Sequence, residues 1–137
     1  MNEQSDRYIY FNNNPIRGNR VGDCTVRAIS KATGQEWNHT YCALAAYGLS
    51  CKDMPSANNV WGKYLRDLGF RRYLIESEKH DYTVENFCED HPEGTYILAI
   101  EGHVVCVVDG YYYDSWRSGS EIPIYFWSRE SRRANGT

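Results

Sequence analysis

The sequence has no long apolar run, and this absence argues against a membrane-spanning helix. Its first residues, Met-Asn-Glu-Gln-Ser-Asp, are polar and contain no apolar signal-peptide core. We therefore expect a cytoplasmic protein with no membrane partner.

The cysteines are odd in number and scattered, so in a reducing cytoplasm we expect free thiols. They are Cys24, Cys42, Cys51, Cys88 and Cys106.

A concentrated basic face is also missing. The net charge is −3, and basic clusters are limited to Arg71-Arg72 and to Arg129 with Arg132-Arg133. Nucleic-acid-binding domains usually carry a clustered positive surface, so we expect no nucleic-acid partner.

The sequence also lacks a complete set of metal ligands at suitable spacing. Cys88 and His91 lie close together and His80 is nearby, but no second Cys/His pair completes a structural zinc site. We therefore expect neither a metal ion nor another cofactor.

The length of 137 residues is enough for one hydrophobic core. No internal repeat or low-complexity linker divides the chain, so we predict one domain over residues 1–128 and a polar tail at 129–137.

Aromatic residues make up 15% of the chain, and twelve of them are tyrosines. Tyrosine favours strands and also suits the walls of a binding cleft, and both explanations stay open.

Capping residues and apolar spacing typical of helices occur throughout the first half of the chain. Asp23 is placed to cap a helix that runs to Ala32 and stops at Gly34. Apolar spacing and capping residues predict three further helices, at 36–47, 57–68 and 83–88.

Strand signals follow the turn at Pro92-Glu93-Gly94. Asp109-Gly110 is a two-residue hairpin turn. Residues rich in β-branched and aromatic side chains predict strands at 95–100, 103–108, 111–114 and 122–127. Helices followed by antiparallel strands predict an α+β fold.

Three candidate catalytic residues fall at defined places in this arrangement. Cys24 opens the first helix, where unpaired N–H groups and a partial positive charge favour a thiolate. His103 opens a strand directly after Gly102, and Asp114 ends the strand that returns from the hairpin. Taken singly, each has an ordinary explanation as a packed cysteine, a packed or surface histidine, or a turn residue. Their order along the chain favours a catalytic site.

Hairpin pairing relates two of these residues. If Asp109-Gly110 forms the loop, Val108 faces Tyr111, and Asp114 lies diagonal to His103. Both side chains then leave the same side of the sheet, within reach of each other. A carboxylate there orients the imidazole and stabilises its charged form.

The same segments resemble the papain-like cysteine peptidases. The resemblance rests on Gly22–Ala28 (GDCTVRA), Gly94–Val105 (GTYILAIEGHVV) and Tyr113–Trp116 (YDSW). With the helices between them, they cover roughly residues 12–127. The chain is similar to compact members such as bacteriocin-leader peptidases and peptidoglycan amide hydrolases, and small proteins of this kind also occur in bacteriophages.

The resemblance implies a papain-like fold with N-terminal helices packed on a C-terminal antiparallel sheet, the nucleophile lying at a helix N-terminus. It implies that Cys24 attacks an amide or ester carbonyl of a peptide or protein and forms a thioester. His103 then takes the thiol proton and protonates the leaving amine, while Asp114 orients His103.

The family usually places a Gln before the nucleophile as an oxyanion donor, and here that stretch has none. The resemblance therefore assigns the oxyanion hole to the Cys24 N–H and Asn19, with Asn14 behind it. Trp116 and Tyr112 are candidates for substrate-binding cleft walls, and ordinary sheet packing is the alternative for both.

Two alternatives concern function. An inactive papain-like domain would bind a protein or a small ligand, an alternative that the missing Gln and the small size favour. With an active triad, hydrolysis of a peptide, isopeptide or peptidoglycan amide and transamidation all use the same residues. The choice among them lies in cleft loops such as 50–59 and 117–121.

Overall fold

The computed structural model describes residues 6–75 and 81–129. Within them, four helices and six strands make an α+β fold, which confirms that part of the prediction. The helices are α1 (Cys24–Thr33), α2 (Trp37–Cys51), α3 (Asn58–Asp67) and α4 (Val84–Asp90). The strands are β1 (Tyr8–Tyr10), β2 (Arg71–Leu74), β3 (Thr95–Ile100), β4 (His103–Val108), β5 (Tyr111–Asp114) and β6 (Tyr125–Ser128). Most of the predicted polar tail, residues 130–137, lies outside the described residues.

Helix α1 begins where the sequence predicts and ends within one residue of the prediction. Asp23 holds the N-cap position, but its side chain makes no capping hydrogen bond because it pairs with Arg27 instead. Gly34 ends the helix with a left-handed φ of 74°, and its N–H donates to the Ser30 carbonyl oxygen. Glycine adopts this conformation at little cost, so the helix end is encoded locally.

The predicted end of α2 before Gly48 is wrong. The helix continues to Cys51 and ends where Lys52 adopts a left-handed φ of 58°. A Cβ atom on Gly48 would lie 2.8 Å from the Asp53 carbonyl oxygen. Glycine at this position permits a close approach of two backbone segments and does not stop the helix.

The strands form one sheet in the order β1-β5-β4-β3-β6-β2. The C-terminal strands β3 to β6 pair antiparallel, as predicted, but β1 joins the sheet parallel to β5, so the whole sheet is mixed and not antiparallel throughout. The sequence predicts neither β1 nor β2, because edge strands this short carry little periodic pattern. Strand β6 begins at Tyr125 and not at residue 122, since Pro123 cannot donate to a ladder.

The β4–β5 hairpin has the predicted register. Val108 pairs with Tyr111, and Cys106 pairs with Tyr113. The loop residues Asp109 and Gly110 have φ angles of 50° and 84°, as a two-residue hairpin loop requires. The turn therefore sets the register that places Asp114, the last residue of β5, diagonal to His103, the first residue of β4.

Helices cover both faces of the sheet. Helices α1, α2 and α3 pack on one face around Ile29, Leu44, Trp61, Leu65, Ile97, Cys106 and Trp127. Helix α4 packs on the other face around Val84, Phe87, Leu98, Val105, Val107 and Tyr112. Burying a large apolar side chain stabilises a fold by about 1.5–3 kcal/mol, so these contacts hold α1 firmly against β4.

Candidate active site

Cys24 is the first residue of α1, and α1 packs on β4, whose first residue is His103. The first intrahelical hydrogen bond runs from the Arg27 N–H to the Asp23 carbonyl oxygen, at 2.9 Å. The N–H groups of residues 24–26 therefore precede the hydrogen-bond ladder. Their partial positive charge favours a thiolate at this helix end.

The His103 imidazole is held between two partners. Its Nε2 lies 2.6 Å from Oδ2 of Asp114. The Cys24 thiol lines the same cleft and is the other group that raises the pKa of His103. Since Nε2 is occupied by Asp114, Nδ1 is the ring nitrogen that remains for the thiol. The structure thus brings together the three candidate residues that the sequence singles out.

The electrostatics of this group favour charge on both Cys24 and His103. Burial raises the pKa of the Cys24 thiol, but hydrogen bonds with His103 and the Val104 N–H, and the His103 charge, bring it below its usual range. Burial lowers the pKa of His103, and its contacts with Asp114 and Cys24 outweigh that effect and raise it to about 9. The arrangement therefore favours a thiolate–imidazolium pair over a neutral one.

Asp114 is only 2% exposed, and both of its carboxylate oxygens are engaged. Oδ2 accepts from His103 and, at 2.5 Å, from the Ser118 hydroxyl. Oδ1 accepts from the Ser115 N–H at 2.7 Å and from Nη2 of Arg27 at 3.2 Å. Burial raises the pKa of Asp114, and the bonds from His103 and Ser118 outweigh it and lower the pKa overall. An ionised, fixed carboxylate is suited to orient an imidazole.

Arg27, on the helix that begins at Cys24, lies behind Asp114. Its guanidinium pairs with Asp23 through Nη1 and with Asp114 through Nη2, and the residue is 7% exposed. Asp23 also accepts from Nε1 of Trp37 at 2.9 Å and from Nδ2 of Asn14 at 3.4 Å. The sequence analysis does not single out Arg27. Its spacing of four residues from Asp23 is the signal that points to it.

Cys24 and His103 line a cleft of about 380 Å³. Asn58 and Trp61, both from α3, stand in its wall. Nε1 of Trp61 donates to Oδ1 of Asn58 at 3.1 Å, which fixes the amide and leaves its nitrogen donors for a ligand. A cleft that holds a thiol with a lowered pKa and a fixed amide suits a ligand with a carbonyl group.

The remaining predicted site residues lie elsewhere around this centre. Asn19 lines a second cleft of about 470 Å³ together with Trp116, whereas Cys24 lines the first. The Trp116 ring contacts the His103 ring, with centroids 4.8 Å apart. Tyr112 is 1% exposed and packs in the core beneath α4, which agrees with the sheet-packing alternative.

Two polar residues of the site, Ser118 and Asn58, carry no clear sequence signal. Ser118 reaches Asp114 from a loop that has no regular pattern. Asn58 begins α3, and Asn at a helix start is ordinary. Its place in the cleft follows from the packing of α3, which the local sequence does not show.

The other four cysteines lack the environment of Cys24. Burial raises the pKa of Cys88 and of Cys106 to about 12 each, which disfavours thiolates there. Cys42 is exposed and Cys51 is half-buried. All five cysteines lie in the described ranges, and each is a free thiol.

Two further findings concern membranes and metals. No helix within residues 6–75 and 81–129 has the length and apolar character needed to cross a membrane. In the same part of the chain, no group of three or more His, Cys, Asp or Glu side chains is arranged to hold a metal ion. His80 lies outside the described residues, and His91 stacks on Phe87 with ring centroids 3.7 Å apart.

No protein-family model, curated protein or solved structure matches this chain. Its function is therefore inferred from the chemistry of the site.

Proposed function

We propose that the protein is a papain-like cysteine peptidase or amidohydrolase that cleaves an amide or isopeptide bond in a peptide or protein. The observation that carries the proposal is the chain of contacts from Cys24 through His103 to Asp114, with the charges it favours. A nucleophile next to a base, and a base held by a third group, is what nucleophilic amide cleavage requires. The thiolate must stay reduced, which fits a cytoplasmic location.

The papain-like fold is part of this proposal. Its support is a nucleophile at the N-terminus of a helix near the start of the chain. That helix packs against strands that supply His103 and Asp114 later in the chain.

In the first half-reaction, the Cys24 thiolate attacks the substrate carbonyl carbon and forms a C–S bond. The carbonyl electron pair moves onto oxygen, where the N–H groups at the start of α1 stabilise it. As the C–N bond breaks, His103 gives its Nδ1 proton to the leaving amine. The first product leaves, and a thioester on Cys24 remains.

In the second half-reaction, the neutral His103 takes a proton from water as the water oxygen attacks the thioester. The C–S bond breaks, the acid product leaves, and the thiolate–imidazolium pair is restored. Asp114 stays ionised throughout and stabilises the positive imidazole. An amine in place of water gives transamidation by the same steps.

A side-chain amide near Cys24 would share the charge of the oxyanion. Asn58 stands in the same cleft as Cys24, and Trp61 fixes its amide. Asn19, which the sequence resemblance assigns to this role, lines the second cleft. We therefore assign the donor role to Asn58 and treat Asn19 as the alternative.

Acyl transfer from an activated ester tests the proposal without a known substrate. The protein is incubated with p-nitrophenyl acetate, and the acetyl group is located by mass spectrometry of its peptides. We expect acetylation of Cys24 and release of p-nitrophenol beyond one equivalent, and Cys24→Ala should lose both. The matched control is Cys42→Ala, which removes an exposed thiol and should retain both.

The opposite outcome is acetylation of Cys24 and Cys42 at similar rates, with no turnover. That result contradicts the peptidase proposal. It favours the alternative of an inactive papain-like domain that binds a protein or a small ligand.

A further inference from the structure

A buried arginine connects the helix of the nucleophile to the strand of the acid. We propose that Arg27 is a positioning residue of the catalytic site. It holds Asp114 ionised and turned towards His103, and Asp23 in turn holds Arg27. This inference rests on the proposed function, because it gives Arg27 a part in activating Cys24.

The two oxygens of Asp114 have different partners. Oδ2 meets His103 at 2.6 Å and Ser118 at 2.5 Å, whereas Oδ1 meets Nη2 of Arg27 at 3.2 Å. Arg27 and the Ser115 N–H thus bind the carboxylate oxygen that does not face the imidazole, and together they hold the plane of the carboxylate. A rotated carboxylate would lose both charge-assisted contacts together.

The other end of the guanidinium is anchored as well. Nη1 of Arg27 pairs with Asp23, and Asp23 also accepts from Trp37 at 2.9 Å. Arg27 and Asp23 are both buried, so the guanidinium has little freedom to leave Asp114. Because Cys24 directly follows Asp23, the same anchor ties the nucleophile to the acid.

Charge compensation gives Arg27 a second effect. When the site is ionised, Cys24, Asp114 and Asp23 carry negative charge, and His103 and Arg27 carry positive charge. Burial raises the pKa of Cys24, and the Arg27 charge is one of the influences, after those of His103 and Val104, that bring it down. Without the arginine, the buried carboxylates of Asp23 and Asp114 would lose the cation that bridges them.

Removing Arg27 alone endangers folding, because it leaves buried carboxylates unpaired. The test variant is therefore the double substitution Asp23→Asn/Arg27→Met, which removes one charge of each sign. Its matched control is Asp67→Asn/Lys63→Met, which removes one charge of each sign from two exposed residues that lie four positions apart on α3. Arg27→Lys is a milder variant that keeps the charge but cannot bridge two carboxylates. Circular dichroism and thermal melting establish that each variant is folded.

The readout is the rate constant for alkylation of Cys24 by iodoacetamide, followed by mass spectrometry of the Cys24 peptide. At pH 6 we expect the rate to fall by up to about tenfold in the double variant, because each unit by which the Cys24 pKa rises above the pH lowers the thiolate fraction about tenfold. The alkylation rate should fall less in Arg27→Lys, and the rate of the control should match that of the wild type. Turnover of p-nitrophenyl acetate should likewise be lowest in the double variant, intermediate in Arg27→Lys and unchanged in the control.

A folded double variant that alkylates at the wild-type rate at pH 6 overturns the role of Arg27. If the double variant does not fold, a folded Arg27→Lys variant with unchanged alkylation and turnover overturns it equally. Failure of the proposed function has a different signature. In that case His103→Ala and the wild type alkylate alike, whatever the substitution at Arg27 does.

Discussion

His103 Nε2 lies 2.6 Å from Asp114 Oδ2, and a two-residue turn places the two side chains there. The Asp109-Gly110 loop pairs Val108 with Tyr111, and counting along both strands makes His103 and Asp114 diagonal neighbours. The orientation of the imidazole therefore depends on a register that is set by local backbone conformation.

Replacing Asp114 by Asn removes the negative charge beside His103. Burial lowers the pKa of His103 and the Asp114 and Cys24 contacts raise it, to about 9 overall, so we expect that pKa to fall in Asp114→Asn. The thiolate–imidazolium pair should then give way to the neutral pair. We expect kcat/KM for p-nitrophenyl acetate at pH 7 to fall at least about 100-fold. Ser118→Ala removes one donor to Asp114 and should lose less, while wild-type activity in Asp114→Asn would exclude the orienting role.

The oxyanion donor is tested by comparing two asparagines. Loss of one oxyanion-hole donor typically lowers kcat by about 10²–10³-fold. We expect such a loss for Asn58→Ala, with little change in KM, and near wild-type kinetics for Asn19→Ala. Steady-state kinetics with the same ester measure both. The reverse result assigns the donor to Asn19 and contradicts the assignment to Asn58.

The Cys24–His103 pair also affects how stability depends on pH. In the folded protein His103 keeps its proton up to about pH 9, whereas in the unfolded chain it loses it near 6.5. Taken alone, this shift gives stability that is complete below pH 6.5 and is lost as the pH rises to 9. The lowered pKa of Cys24 acts with the opposite sign, because the unfolded chain keeps a thiol proton that the folded protein has released.

Where Cys24 is ionised in the folded protein and His103 is neutral in the unfolded chain, the two states hold equal numbers of protons on this pair, and the pair then adds little slope to the wild-type free energy of unfolding. In Cys24→Ser, His103 remains shifted by Asp114 with no compensating thiol. Relative to the wild type, its free energy of unfolding should fall above pH 6.5, by at most about 1.4 kcal/mol per pH unit. Urea denaturation at pH 6.5 and pH 8 measures this difference. If the free energy of unfolding changes with pH by the same amount in Cys24→Ser and the wild type, the charges assigned to Cys24 and His103 are contradicted.

Features encoded by local backbone chemistry are the ones that the sequence predicts well. Gly34 and Gly110 adopt left-handed φ angles that glycine tolerates, so the end of α1 and the hairpin register follow from short segments. The contact between His103 and Asp114 follows from that register without any knowledge of the tertiary structure.

Features that depend on contacts between residues far apart in the sequence are not predicted from the sequence. Strands β1 and β2 have three and four residues, and each pairs with a strand from the second half of the chain. Arg27 gains its contact with Asp114 from a residue 87 positions away. Gly48 suggests a helix stop in the sequence, whereas its use lies in packing against Asp53.

The central claim is that Cys24 is a thiolate paired with the His103 imidazolium. The most direct test is the rate constant for Cys24 alkylation by iodoacetamide from about pH 4 to about pH 10. We predict a plateau that begins below the pH at which an ordinary thiol ionises, at about 8.5, and its loss in His103→Ala. We also predict a second change in rate near pH 9, where His103 loses its proton. A single rise centred at about pH 8.5, identical in the wild type and His103→Ala, would contradict the claim.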